Sequence, residues 1–132
     1  MILVDTSVLV DFFKGRKNEA VSKFEAILDR NIPFGINSFV YQEILQGAST
    51  KKEFTLLKGY LITQNFYTLK KGNKSYEDAA LLYFTCRKAG YTIRSTIDVL
   101  IAQTAMENEL MLLHNDSDFT SIAKVIKSLK IF

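Results

Sequence analysis

Five carboxylates in this chain fall where a fold could gather them. Asp5 directly follows the apolar run Ile2, Leu3, Val4; Glu43 sits in "SFVYQEILQG", Asp98 in "IRSTIDVLIAQTA", and Asp116 with Asp118 in "LMLLHNDSDF". Hard carboxylate oxygens, in a chain with one histidine and one cysteine, suit Mg2+ or Mn2+ rather than zinc. Acids brought together repel one another, and a divalent cation relieves that repulsion while keeping positions open for water and an anionic ligand. A metal held this way can activate water, so no side-chain nucleophile is required. Ser7 and Ser95 have no base beside them in the sequence, which argues against serine catalysis.

Positioning these acids is the task of short apolar runs that alternate with amphipathic stretches, the pattern of an α/β domain with a mostly parallel central sheet. Four strands are expected at Ile2 to Val4, Phe34 to Ile36, Leu110 to Leu113 and Lys130 to Phe132, with a weaker fifth near Phe66 to Leu69. Helices are expected over Ser7 to Phe13, Glu19 to Asp29, Ser38 to Gln46, Lys51 to Leu61, Ser75 to Lys88, Thr96 to Glu107 and Phe119 to Ile126. Gly15, Gly47, Gly72 and Gly90 read as stop signals after four of them, and Pro33 opens a strand, where its missing N–H is tolerated. No repeat, low-complexity segment or linker interrupts the pattern, so a single domain over residues 1–132 is expected.

In open parallel sheets ligands bind beyond the carboxyl ends of the strands. Of seven aspartates, Asp5 ends the first strand, Asp116 and Asp118 follow the strand Leu110 to Leu113, and Asp98 lies in the first turn of a helix. That helix descends ~18 Å and the strand after it rises ~17 Å, which returns Asp116 to the level of Asp98. Glu43 is the one charged residue in an apolar stripe of Ile36, Phe39, Val40, Ile44, Gly47 and Ala48. A carboxylate on such a face must be paired, protonated or bound to a cation.

Capping competes with this reading. Asp5 can cap the helix that follows it, Ser95 with Asp98 has the form of a capping box, and Asp116 or Asp118 can cap the last helix. Ser75 with Asp78 and Thr50 with Glu53 show the same spacing and suggest no chemistry. Capping accounts for each aspartate singly; it does not account for Glu43 or for the convergence on one edge.

Together the stretches "ILVDTSVLV", "SFVYQEILQG" and "STIDVLIAQTAMENELMLLHNDSDF" resemble the PIN domain, and in length and motif order the VapC group of ribonuclease toxins. The resemblance implies a three-layer α/β fold with a sheet of four to five strands. It implies Mg2+- or Mn2+-dependent hydrolysis of RNA phosphodiester bonds. Asp5, Glu43, Asp98 and Asp116 are then the catalytic and metal-binding acids, Asp118 an accessory ligand, and Thr6 and Ser95 the residues that orient the carboxylates. It further implies a homodimer that acts as the toxin of a toxin–antitoxin pair and is silenced by a cognate antitoxin, while a cytoplasmic location is expected from the lone Cys86 and the lack of a signal-peptide pattern. One departure is His114, where the family often carries threonine. As the only histidine it could relay a proton, but a residue at a strand end is more simply half-buried.

RNA binding would fall to basic residues near the cleft: Lys14, Arg16 and Lys17 after the first helix, and Arg87, Lys88 and Arg94 before Asp98, with Tyr91 able to stack on an unpaired base. Lys70, Lys71 and Lys74 read as a solvated loop. Seventeen Lys and Arg against fourteen Asp and Glu, a net charge of +3, permits a polyanionic partner without demanding one. Lone Cys86 excludes an intramolecular disulfide and reads as a small buried residue in a reducing compartment. The amino terminus has no signal-peptide pattern, and no apolar stretch approaches the ~20 residues of a membrane span. Two other readings stay open: a phosphate-handling hydrolase that forms an aspartyl phosphate on Asp5, though Ser7 stands where the best-known such family has a second aspartate, and a non-catalytic RNA- or protein-binding module with a structural acidic cluster.

Overall fold

The computed structural model describes residues 1–132. Five parallel strands, β1 (Ile2–Val4), β2 (Phe34–Ile36), β3 (Asn65–Phe66), β4 (Met111–Leu113) and β5 (Lys130–Ile131), form one sheet in the order β3-β2-β1-β4-β5. Seven helices connect and cover it: α1 (Thr6–Phe13), α2 (Glu19–Asp29), α3 (Ser38–Gln46), α4 (Lys51–Leu61), α5 (Asn73–Lys88), α6 (Thr96–Glu107) and α7 (Ser117–Val125). The chain starts at the centre of the sheet, builds outward to β3, and crosses back to add β4 on the other side of β1. Strand order therefore reverses between β1 and β4, which is where an open parallel sheet leaves a crevice at its carboxyl edge. None of the helices is long and apolar enough to cross a membrane.

Register brings the strand ends level. Leu3 pairs with Gly35 and Leu112, and Val4 pairs with Leu113, so Asp5, Asn37 and His114 leave the sheet at one height. Gly35 is required by close approach: a Cβ there would stand 2.6 Å from the Asn65 carbonyl oxygen and 2.5 Å from the Tyr67 ring.

The core lies on both faces of the sheet. Leu3, Val4, Ile36, Leu112 and Leu113 are sealed between Val8, Phe24, Ile27 and Val40 and the side chains of α6 and α7, including Ile101, Phe119 and Ile122. The Phe24 ring stands edge-on to Phe12 and Phe34 at 5.0 and 5.2 Å, so truncation to alanine would cost about 3–5 kcal/mol. Eight consecutive residues of α6, Asp98 to Ala105, are buried, which places the Asp98 carboxylate in a poorly solvated position. Cys86 is fully buried on α5, as its size suggests.

Several local expectations are corrected. Gly72 ends no helix; at φ +57 it precedes Asn73 as the N-cap residue of α5. That helix starts two residues before Ser75, so Ser75 is no cap: its buried hydroxyl donates to Glu107 and accepts from the Lys71 N–H, while Asp78 pairs with Lys74 and Lys71. Helix α7 begins at Ser117 because Asp116, rather than Asp118, occupies the N-cap. Thr50 and Glu53 do cap α4: Thr50 Oγ1 accepts from the Glu53 N–H, and Glu53 reaches back to the Ser49 N–H.

Candidate metal centre

Asp5 is both a cap and something more. Its backbone is extended (φ −81, ψ 158), and Oδ2 accepts from the Ser7 N–H at 3.0 Å and from Ser7 Oγ at 2.6 Å. The other oxygen, Oδ1, is buried and has no hydrogen-bond partner. Such an orphaned acceptor is rare, because desolvating it costs about 1–3 kcal/mol. Burial pushes the Asp5 carboxyl up to about 6 against the Ser7 bonds that lower it, and the charge of Glu43 adds to the rise. Ser7 Oγ in turn accepts from the Asn115 N–H at 2.9 Å, tying the loop after β4 to the first turn of α1.

Glu43 is half-buried on α3, and its Oε1 accepts from Thr6 Oγ1 at 2.8 Å. Thr6 thus holds one oxygen of Glu43. Ser95 holds no carboxylate in this structure: although it is the N-cap residue of α6, it makes no side-chain capping bond, and the Ser95–Asp98 capping box is not formed. Asp98, 8% exposed, has no donor among the influences on its carboxyl. Burial first, then the charges of Asp5, Asp116, Asp118 and Glu43, raises it to about 7. The other four sequence-predicted acids therefore all act on Asp98.

The tightest group differs in emphasis from the expected one. Asp98, Asp116 and Asp118 each offer one oxygen, and these lie within 4.8 Å of one another. Asp116 Oδ1 accepts from the Asp118 N–H at 2.9 Å. Asp118, expected as an accessory, is buried and holds Arg94: the Arg94 N–H donates to Oδ2 at 3.1 Å, and Nε lies 3.3 and 3.4 Å from the two oxygens. Arg94 Nη2 also reaches Asp116 Oδ1 at 3.4 Å. Arg94 is thus engaged by the acids instead of being free for an anionic ligand.

The other expected binding residues disperse. Arg16 pairs with Asp11 at 2.9 Å, and Lys17 with Glu25 at 3.2 Å. Arg87 and Lys88 lie over the exposed Phe84 ring, with Arg87 also over Tyr83. Tyr91 is half-buried beneath Lys124. Lys14 alone shares a groove with one of the acids, Glu43. His114 is half-buried against Phe119, and its Nδ1 accepts from the Asp116 N–H at 3.1 Å, so it positions the Asp116 backbone. Burial pushes its pKa down, which keeps the ring neutral and suited to accept.

Ser7 and Asn115 lie outside the sequence-predicted set of site residues. The signal for Ser7 was present, because an N-cap aspartate takes the N–H two residues on. Its second role, bridging to Asn115, depends on a contact 108 residues away in sequence. The donor set is composed of carboxylate oxygens, one of them buried without a partner, and this fits a hard divalent cation.

Comparison with known proteins adds lineage to geometry. The family model described as "PIN domain" matches residues 2–125. A VapC ribonuclease of Mycobacterium bovis is 30% identical over 127 residues, covering 95% of this chain and 93% of the relative. Among solved structures, VapBC2 from Rickettsia felis, bound to a DNA fragment from its promoter, superposes with a TM-score of 0.72 at 19% identity, covering 100% of this chain and 98% of the other. A toxin-antitoxin complex from Klebsiella pneumoniae gives 0.68 at 22% identity, covering 99% of this chain and 100% of the other.

Proposed function

The chain belongs to the PIN-domain family, and from that premise we propose that it is a metal-dependent endoribonuclease, the toxin of a VapBC-type toxin–antitoxin pair, formed by a single domain over residues 1–132. The observation that carries the metal assignment is Asp5 Oδ1: a buried carboxylate oxygen with no protein donor, on a residue whose charge is felt by Asp98. Asp5, Glu43, Asp98 and Asp116 would hold Mg2+ or Mn2+, with Asp118 behind them. When bound, the ion supplies Lewis-acid polarisation of a phosphodiester oxygen and a water of lowered pKa.

The chain's own residues prepare that site. Ser7 fixes Asp5 Oδ2 and leaves Oδ1 available, and Thr6 fixes Glu43. Neutral His114 sets the Asp116 backbone through Nδ1. Burial of Asp98 keeps competing water away and makes its carboxylate a strong acceptor of positive charge. Ser7 Oγ donates to Asp5 and accepts from Asn115, so its hydroxyl is spent on positioning both. Lys14, beside Glu43, is best placed to meet RNA phosphates; Arg16 and Arg87 contribute only if they leave their present partners. A cognate antitoxin, supported by the VapC relative and the toxin-antitoxin neighbour, completes the reading, with a homodimeric assembly and a cytoplasmic location as further parts of the proposal.

The test is cleavage of a panel of structured RNAs by wild type and Asp5→Asn, with Mg2+, with Mn2+ and with EDTA. Wild type should cleave only with metal, and Asp5→Asn should fall at least about 100-fold. Equal cleavage by both proteins, or cleavage that survives chelation, would refute the proposal.

A further inference from the structure

We infer that Arg94 is a resident counter-charge of the acidic cluster: its guanidinium neutralises Asp116 and Asp118 in the metal-free chain and weakens the hold of that cluster on a divalent ion. The inference rests on the metal site proposed above. Arg94 lies in the loop between α5 and α6, four residues before Asp98, and meets the cluster through three donors. Its backbone N–H and Nε engage both oxygens of Asp118 at 3.1 to 3.4 Å, and Nη2 lies 3.4 Å from both Asp116 Oδ1 and Ser117 Oγ. Asp116 Oδ1, which also takes the Asp118 N–H, then has both lone-pair directions occupied.

Two features separate this contact from an ordinary surface ion pair. The acid side is buried, with the Asp118 side chain only 9% exposed, so its charge is weakly screened. The arginine is held by its own backbone N–H as well as its side chain, so the loop, and not one flexible rotamer, brings the charge to the site. The guanidinium side is open, at 71% exposure. Nη2 can therefore leave Asp116 while the backbone bond to Asp118 keeps the loop in place. An ion entering among Asp98, Asp116 and Asp118 meets three negative charges already offset by one positive charge a few ångströms away. With the exposed guanidinium screened at a water-like dielectric of about 80 and about 7 Å from the ion, such a charge weakens binding of a dication by about five- to tenfold.

Mn2+ binding to the purified chain, read from the free-ion electron paramagnetic resonance signal, tests this without reference to cleavage. Arg94→Met should bind Mn2+ about five- to tenfold more tightly than wild type, whereas Arg94→Lys, which keeps the charge, should stay within about twofold. Asp98→Asn should bind at least about tenfold more weakly. If Arg94→Met does not fold, Arg94→Gln keeps a donor for Asp118 without charge and should show the same gain. Unchanged or weaker binding by the uncharged variants, or equal tightening by Arg94→Lys, overturns the role of Arg94 while the Asp98→Asn loss leaves the metal site standing. Unchanged binding by Asp98→Asn removes the metal site itself, and this inference with it.

Discussion

Ser7 Oγ stands 2.6 Å from Asp5 Oδ2, and this bond leaves the opposite oxygen, Oδ1, buried with nothing to accept from. One hydroxyl thus decides which edge of the carboxylate is engaged and which is available. It also accepts from the Asn115 N–H, so the same atom joins the first turn of α1 to the loop after β4.

Ser7→Ala should therefore damage both stability and the site. Loss of the two bonds should lower unfolding free energy by about 1–2 kcal/mol, measured by urea denaturation. Mn2+ affinity should fall as well, because Asp5 loses its fixed orientation. A variant that binds Mn2+ as wild type does would show that Ser7 matters for folding alone.

Asp98→Asn separates chemistry from structure. The carboxylate is buried, takes no hydrogen bond and is repelled by four other acids, so removing its charge should raise the melting temperature of the metal-free protein while abolishing cleavage. Wild type should gain on addition of Mn2+ what the variant no longer can, by the usual linkage of binding to stability. A lower melting temperature with retained cleavage would contradict the assignment.

The pH dependence follows from Asp5, raised to about 6 by burial, and Asp98, raised to about 7 by burial and neighbouring charge. Both values exceed the 3.8 of an unperturbed aspartate, so between about pH 4 and 7 the folded chain binds more protons than the unfolded chain. Metal-free stability must then fall as pH rises through that window. His114, pushed down by burial, opposes this trend in the same window with its single proton, and Asp11, held low chiefly by its Arg16 hydrogen bond, opposes it only at more acid pH. Thermal melts in EDTA should show higher stability near pH 5 than at pH 8, with a shallower slope in Asp98→Asn.

His114 should behave as a neutral acceptor. His114→Phe keeps the contact with Phe119 but strands the Asp116 N–H, so it should cost about 1–2 kcal/mol and reduce cleavage without moving the pH profile. Loss of one limb of that profile would instead make the ring a proton relay.

How much of this was legible in the sequence depended on how local the cause was. The bounds of β1, β2, α2, α3, α4 and α6 follow from apolar period and nearby caps, and the structure keeps them residue for residue. Asp5, Glu43, Asp98 and Asp116 could be assembled because strand ends and helix turns have fixed rises. The Ser95–Asp98 spacing misled, because a capping box needs a side-chain rotamer as well as a spacing. Gly72 misled for a related reason: positive φ serves an N-cap here as readily as a helix end. Arg94 read as a free cation because Asp118, its partner, arrives from 24 residues away.

The metal proposal stands on Asp5, whose Oδ1 is left available by Ser7 and would bind one divalent ion together with Glu43, Asp98 and Asp116. Anomalous diffraction from crystals soaked in Mn2+ tests it most directly. A peak is expected against Asp5 Oδ1 and oxygens of Asp98 and Asp116, strongly reduced in Asp5→Asn. No peak among these acids, at a Mn2+ concentration that supports RNA cleavage, would contradict it.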